Sequence, residues 1–133
     1  MTGESRIRVL SVDDHALLRE GIAAIIGHQS DMLLVSQASG GIEAIRQYRQ
    51  HRPDVTLMDL RMPDLGGIDA LLAIRSEFPD ARIIMLTTFE GDEDVRRALD
   101  AGACGYLLKS LPPSQLLQFI REVHAGNKDA HLP

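Results

Sequence analysis

Short runs of apolar, β-rich residues alternate with helix-period segments from one end of this chain to the other, and no other feature limits its fold so narrowly. Arg8–Val12 reads as a first strand. Leu17, Leu18, Ile22, Ile25 and Ile26 then recur at helical spacing, with Gly27 as a stop. Met32–Ser36 reads as a second strand, and after a Gly40-Gly41 turn Ile42, Ile45 and Tyr48 line one helix face. Pro53-Asp54 and Pro79-Asp80 punctuate the chain before the strands Val55–Met58 and Ile83–Leu86. Ile68, Leu71, Leu72 and Ile74 mark the helix between them, and Val95, Ala98 and Leu99 the next one, which Gly102 closes. Tyr106-Leu107-Leu108 is a fifth strand. Pro113 suits the first turn of a last helix carrying Leu116, Leu117, Ile120 and Val123 at 3.6-residue periodicity. Phe119 lies off the centre of that stripe and is expected at a partner surface.

Continuous apolar strands separated by helices require a parallel sheet covered on both faces. Five such units within 133 residues predict one α/β domain, a flavodoxin-like (βα)5 doubly wound parallel sheet with strand order 2-1-3-4-5. The domain is expected over residues 1–126. Residues 127–133 lack periodicity and read as the start of a linker or tail. The formal net charge of −5 argues against nucleic acid or an anionic membrane as a partner of this domain alone. Cys104 is the only cysteine, so no intrachain disulfide can form, and no apolar run reaches membrane length. A soluble, cytoplasmic protein is the expectation.

In an open parallel sheet the ligand site lies outside the carboxyl ends of the strands. Here four strand ends deliver polar groups: Asp13-Asp14 after the first, Asp59 after the third, Thr87-Thr88 after the fourth and Lys109 after the fifth. Three carboxylates, a hydroxyl and an ammonium suit phosphoryl transfer. Asp59 is the expected nucleophile, since a carboxylate can attack phosphorus to give an acyl phosphate. A divalent cation must offset the approach of two anions, and Mg²⁺ (or Mn²⁺) prefers oxygen ligands. Asp13, Asp14, Asp59 and the backbone carbonyl of Arg61 are its candidate ligands. Without the cation the crowded carboxylates repel, and at least one should titrate high. Lys109 can pair with Asp59 and with a phosphoryl oxygen, Thr87 can donate its hydroxyl to another, and the N–H of Thr88 or Arg61 can serve the rest. Each element has a plainer reading: Asp13-Asp14 as a helix N-cap, Asp59 as a turn residue, Lys109 as a solvated lysine, His15 as a solvated helix-start residue. The conjunction of four strand ends is what favours the site.

These residues resemble a response-regulator receiver domain, the phosphorylatable half of two-component signalling, over roughly Arg6 to Gly126. The matching positions are Asp13-Asp14, Met58-Asp59-Leu60-Arg61-Met62-Pro63, Gly66-Gly67, Thr87 and Gly105-Tyr106-Leu107-Leu108-Lys109. The resemblance implies an acidic metal pocket at Asp13 and Asp14, a phosphoacceptor at Asp59 and a lysine role for Lys109. It also implies a switch in which Thr87 is drawn to the phosphoryl group and Tyr106 turns inward. Arg61, Thr88 and Phe89 flank the site, and Arg61 and Phe89 are expected to tune how fast water reaches the acyl phosphate.

Asp13-Asp14-His15, the Asp59-to-Pro63 run and a Lys109 not followed by proline resemble the NarL/FixJ subgroup, whose members join a receiver to a LuxR-type helix-turn-helix DNA-binding domain. The resemblance implies a sensor histidine kinase as phosphodonor, an output domain of the full-length protein as effector, and a possible homodimer on phosphorylation. The chain then reads as an isolated receiver, truncated from a longer regulator, with no enzymatic activity beyond self-phosphorylation and self-dephosphorylation. Two other functions share part of the pattern. A Mg²⁺-dependent phosphatase of the haloacid dehalogenase type wants Asp-x-Asp after its first strand, where this chain has Asp13-Asp14-His15. A non-phosphorylated pseudo-receiver would use the same fold as an interaction module.

Overall fold

The computed structural model describes residues 6–88 and 91–126, so the expectations for Phe89 and for the 127–133 tail lie outside the described residues. The elements alternate as the apolar pattern predicts: β1 (Ile7–Val12), α1 (Ala16–Gly27), β2 (Met32–Ala38), α2 (Gly41–His51), β3 (Val55–Asp59), α3 (Gly67–Glu77), β4 (Ile83–Thr87), α4 (Asp92–Asp100), β5 (Gly105–Leu108) and α5 (Pro113–His124). The strands form one sheet in the order β2-β1-β3-β4-β5, with every neighbouring pair parallel. The fold is thus the doubly wound, flavodoxin-like sheet expected of the sequence.

Alternate strand residues feed two cores, because successive side chains point to opposite faces. Leu10, Val12, Met58, Ile83, Met85 and Tyr106 pack on the side of α2, α3 and α4, against Tyr48, Leu71, Ile74 and Ala98. Val9, Val55, Leu57, Ile84 and Leu86 pack on the side of α1 and α5, against Ile22, Ile26, Leu117 and Ile120. Leu17, one of the apolar residues at helical spacing, is nonetheless 83% exposed. It precedes Ile26 by nine positions, which on a helix of 3.6 residues per turn is about half a revolution away from that buried residue. Ile42 and Leu72 likewise face outward.

Phe119 corrects the expectation of a partner surface, since only 1% of it is exposed. Its ring lies against β5 where Gly105 has no side chain; a β-carbon there would stand 2.0 Å from the Phe119 Cζ. The glycine at the head of the fifth strand was the available signal, as such positions mark close approach by a neighbouring group. Gly102 does follow α4 as a stop, in a left-handed conformation (φ 104°) that any side chain would strain.

Candidate functional site

Strand lengths bring the polar ends into one place. Asp59 is the last residue of β3 and Thr87 the last of β4, while Asp13 and Lys109 follow directly on β1 and β5. Ladder bonds fix these ends to one another. Asp13 N donates to Ala38 O (3.0 Å), Leu60 N to Leu86 O (3.0 Å) and Lys109 N to Thr87 O (2.7 Å). Asp13, Asp59 and Thr87 are all buried, Asp13 with 1% and Asp59 with 4% of its surface exposed.

The Lys109 ammonium is buried between two carboxylates, 2.8 Å from Asp13 Oδ2 and 3.1 Å from Asp59 Oδ1. It is not the solvated lysine of the plainer reading. Burial works against its charge, but the bonds to Asp13 and Asp59 outweigh burial and hold the ammonium above its ordinary range. Burial pushes the Asp59 carboxyl up from the usual carboxylate range; Lys109 opposes that shift and the Asp13 charge adds to it. The direction is the one expected of crowded carboxylates. Asp59 Oδ2 is buried with no hydrogen-bond partner among the described residues, and an orphaned anionic oxygen of this kind is costly.

The capping reading of the acidic pair is not what forms. The residue preceding the first turn of α1 is His15, without a side-chain cap. Asp13 turns back instead, its Oδ1 accepting from His15 N at 2.8 Å. The His15 ring stands over the acids, with Nδ1 3.0 Å from Asp13 Oδ1 and 3.2 Å from Asp14 Oδ1. Asp13, Asp14, His15 and Asp59 each place one donor atom within 4.8 Å of the others. These residues fit a divalent cation: hard carboxylate oxygens converge, and one of them is orphaned.

The remaining sequence candidates divide. Tyr106 is buried in the core beside α4, so its ring already points inward. Thr88 is exposed at the end of β4. The Arg61 side chain does not cover the pocket but reaches α4, donating from Nη2 to Asp94 Oδ2 at 3.0 Å. Two supporting residues, Arg19 and Asp64, escaped the sequence reading, while Gly67, one of the matching positions, gains a structural reason. Arg19 donates from Nη1 to the Asp13 carbonyl at 2.6 Å. Asp64 holds the start of α2, accepting from Gly41 N (3.0 Å) and Ile42 N (3.2 Å). Gly67 lets α3 approach the main chain of Asp59. A basic residue in the first turn of α1 could have flagged Arg19. Nothing local to Asp64 announces a contact across more than twenty positions.

A parallel five-stranded sheet with an acidic cluster and a lysine at its carboxyl edge defines a class, and comparison with known proteins agrees with it. Residues 9–121 match the response regulator receiver domain model, and this chain belongs to that family. It is 40% identical over 121 residues to the oxygen regulatory protein NreC of Staphylococcus epidermidis. It is 39% identical over 120 residues to the response regulator protein VraR of Staphylococcus aureus. Each alignment covers 90% of this chain but only 56% and 57% of the respective relative, so the chain spans little more than half their length. Among solved structures, the signal receiver domain of the response regulator NarL from Mycobacterium tuberculosis superposes with a TM-score of 0.88 at 30% identity, covering 92% of this chain and 98% of that one. A LuxR-family two-component response regulator from Aurantimonas sp. SI85-9A1 gives a TM-score of 0.88 at 39% identity, covering 92% and 87%. The NarL- and LuxR-type kinship expected from the motifs is thus shown, and membership in the receiver family replaces the phosphatase alternative. No helix among the described residues is long and apolar enough to cross a membrane.

Proposed function

We propose that this receiver accepts a phosphoryl group on Asp59 from a sensor histidine kinase and passes the change to an output domain that controls transcription. The orphaned, buried Oδ2 of Asp59, flanked by Lys109 and two further carboxylates, carries the reading. Asp13, Asp14 and Asp59, with the Arg61 carbonyl, would hold Mg²⁺ (or Mn²⁺), whose charge offsets that of the incoming phosphoryl oxygens. Asp59 supplies the attacking oxygen. Lys109 favours the charged form of that carboxylate by direct pairing and is placed to follow the charge onto the phosphoryl group. Thr87, buried at the adjacent strand end, offers a hydroxyl to the same group, and Tyr106, buried beside α4, is the aromatic that would follow its movement.

Residues 1–126 form the receiver unit in this reading and 127–133 begin the linker to the output domain. The relatives' greater length supports a continuation. A homodimer formed on phosphorylation and a cytoplasmic location complete the proposal. Intact mass after incubation with Mg²⁺ and acetyl phosphate tests it: the parent should gain one phosphoryl group and Asp59→Asn none. A folded, Mg²⁺-bound parent that stays unlabelled both with acetyl phosphate and with a phosphorylated histidine kinase would instead be a pseudo-receiver.

A further inference from the structure

Building on the reading of this pocket as a cation site, we propose that His15 is itself a metal ligand, giving the site a nitrogen donor that favours Co²⁺ over Mg²⁺ beyond what carboxylates alone would do. Its Nδ1 lies 3.0 Å from Asp13 Oδ1 and 3.2 Å from Asp14 Oδ1. Adjacent ligands of an octahedral ion with bonds of about 2.1 Å are separated by √2 times that length, roughly 3.0 Å. The imidazole nitrogen therefore stands near octahedral edge spacing from each of the two carboxylate oxygens. Asp59 completes the group within 4.8 Å and brings the buried Oδ2 that has no partner.

The ring is placed by the backbone. His15 N donates to Asp13 Oδ1, and its carbonyl accepts from Arg19 N at 3.0 Å, so the residue is tied at both ends to the head of α1. Its side chain remains 67% exposed, which puts the nitrogen on the solvent rim where an ion enters. The ring nitrogen faces both carboxylates, and a divalent cation can sit among the three groups. Imidazole suits ions such as Ni²⁺ and Zn²⁺, and affinity for a mixed nitrogen–oxygen site rises from Mn²⁺ to Co²⁺ to Ni²⁺, whereas Mg²⁺ seeks oxygen and keeps its waters. His15 thus acts on metal choice and leaves Mg²⁺ affinity nearly untouched.

The test is calorimetric titration of the full chain and of His15→Gln with Co²⁺ and Mg²⁺, together with pulsed EPR of each protein loaded with Mn²⁺, at about pH 8, above the ordinary imidazole range. The variant should bind Co²⁺ at least about tenfold more weakly, the lower end of what even outer-shell metal partners cost. Its Mg²⁺ affinity should match the parent's. Directly coupled imidazole nitrogen should be seen around Mn²⁺ in the parent and be lost in the variant. Equal Co²⁺ affinities with no nitrogen coupling in the parent would overturn the role of His15 and leave the carboxylate pocket standing. Failure of the parent to bind any of the three ions would overturn the pocket as well.

Discussion

Gly67 leaves open the space that the main-chain carbonyl of Asp59 fills, for a β-carbon on Gly67 would stand 2.1 Å from that oxygen and 3.0 Å from Leu60 Cα. Both obstructing atoms belong to backbone, which cannot swing aside. Gly67→Ala should therefore cost about 2 kcal/mol in urea unfolding, as overpacked sites do. Alanine's better helix propensity, at most about 1 kcal/mol, is too small to offset this. The same shift displaces Asp59, so labelling by acetyl phosphate should slow in step.

Lys109 keeps two buried carboxylates from facing each other unpaired. Lys109→Met should lower stability by about 3 kcal/mol without metal, the scale of breaking a buried ion pair from one side. Thermal melts with and without Mg²⁺ give the check. A cation bound by Asp13 and Asp59 replaces part of the missing charge, so Mg²⁺ should stabilise the variant more than the parent.

Phe119 is a core residue packed into the space Gly105 leaves. Phe119→Ala should cost about 4 kcal/mol in denaturant unfolding, as for a buried aromatic ring. A cost under about 0.5 kcal/mol, normal for surface positions, would return the ring to the surface.

Asp31 and Arg121 join the α1–β2 turn to α5 through bonds of 2.8 and 3.0 Å. The Arg121 bond holds the Asp31 carboxyl below its ordinary value, against the smaller opposing effect of burial. A lowered folded-state pKa stabilises above the unfolded value of about 3.9 and is lost as pH falls through the folded one. Both side chains are over a third exposed, so solvent screening limits the gain to under about 1 kcal/mol. Asp31→Asn should therefore be slightly less stable than the parent at neutral pH. The difference should vanish as pH drops below the ordinary carboxylate range.

The strand–helix alternation was legible because the inner strands β3 and β4 are buried on both faces and are nearly continuous apolar runs, whereas the edge strand β2 exposes Leu33 and Gln37. Asp13, Asp59, Thr87 and Lys109 were legible as a group because strand ends in a parallel sheet share one edge. Side-chain direction was not. Periodicity alone put Leu17 among core residues and Phe119 outside them, since it records neither how wide an arc a helix buries nor which neighbour lacks a side chain. Arg61 read as a residue flanking the site, and its long side chain found Asp94 on α4, a partner set by packing. His15 read as solvated, and its ring is mostly exposed, but sequence spacing could not reveal that its nitrogen leans back over both acids.

The bond from Lys109 N to Thr87 O joins the ends of β4 and β5 at the two residues that border the pocket from that side. A hydroxyl and an ammonium are thus rooted on one stiff beam. They can change bearing by turning about their own bonds but cannot drift apart. In the receiver proposed above, that bond would set the spacing of the two groups that meet the phosphoryl group, and a shift of one strand end would be carried to the other.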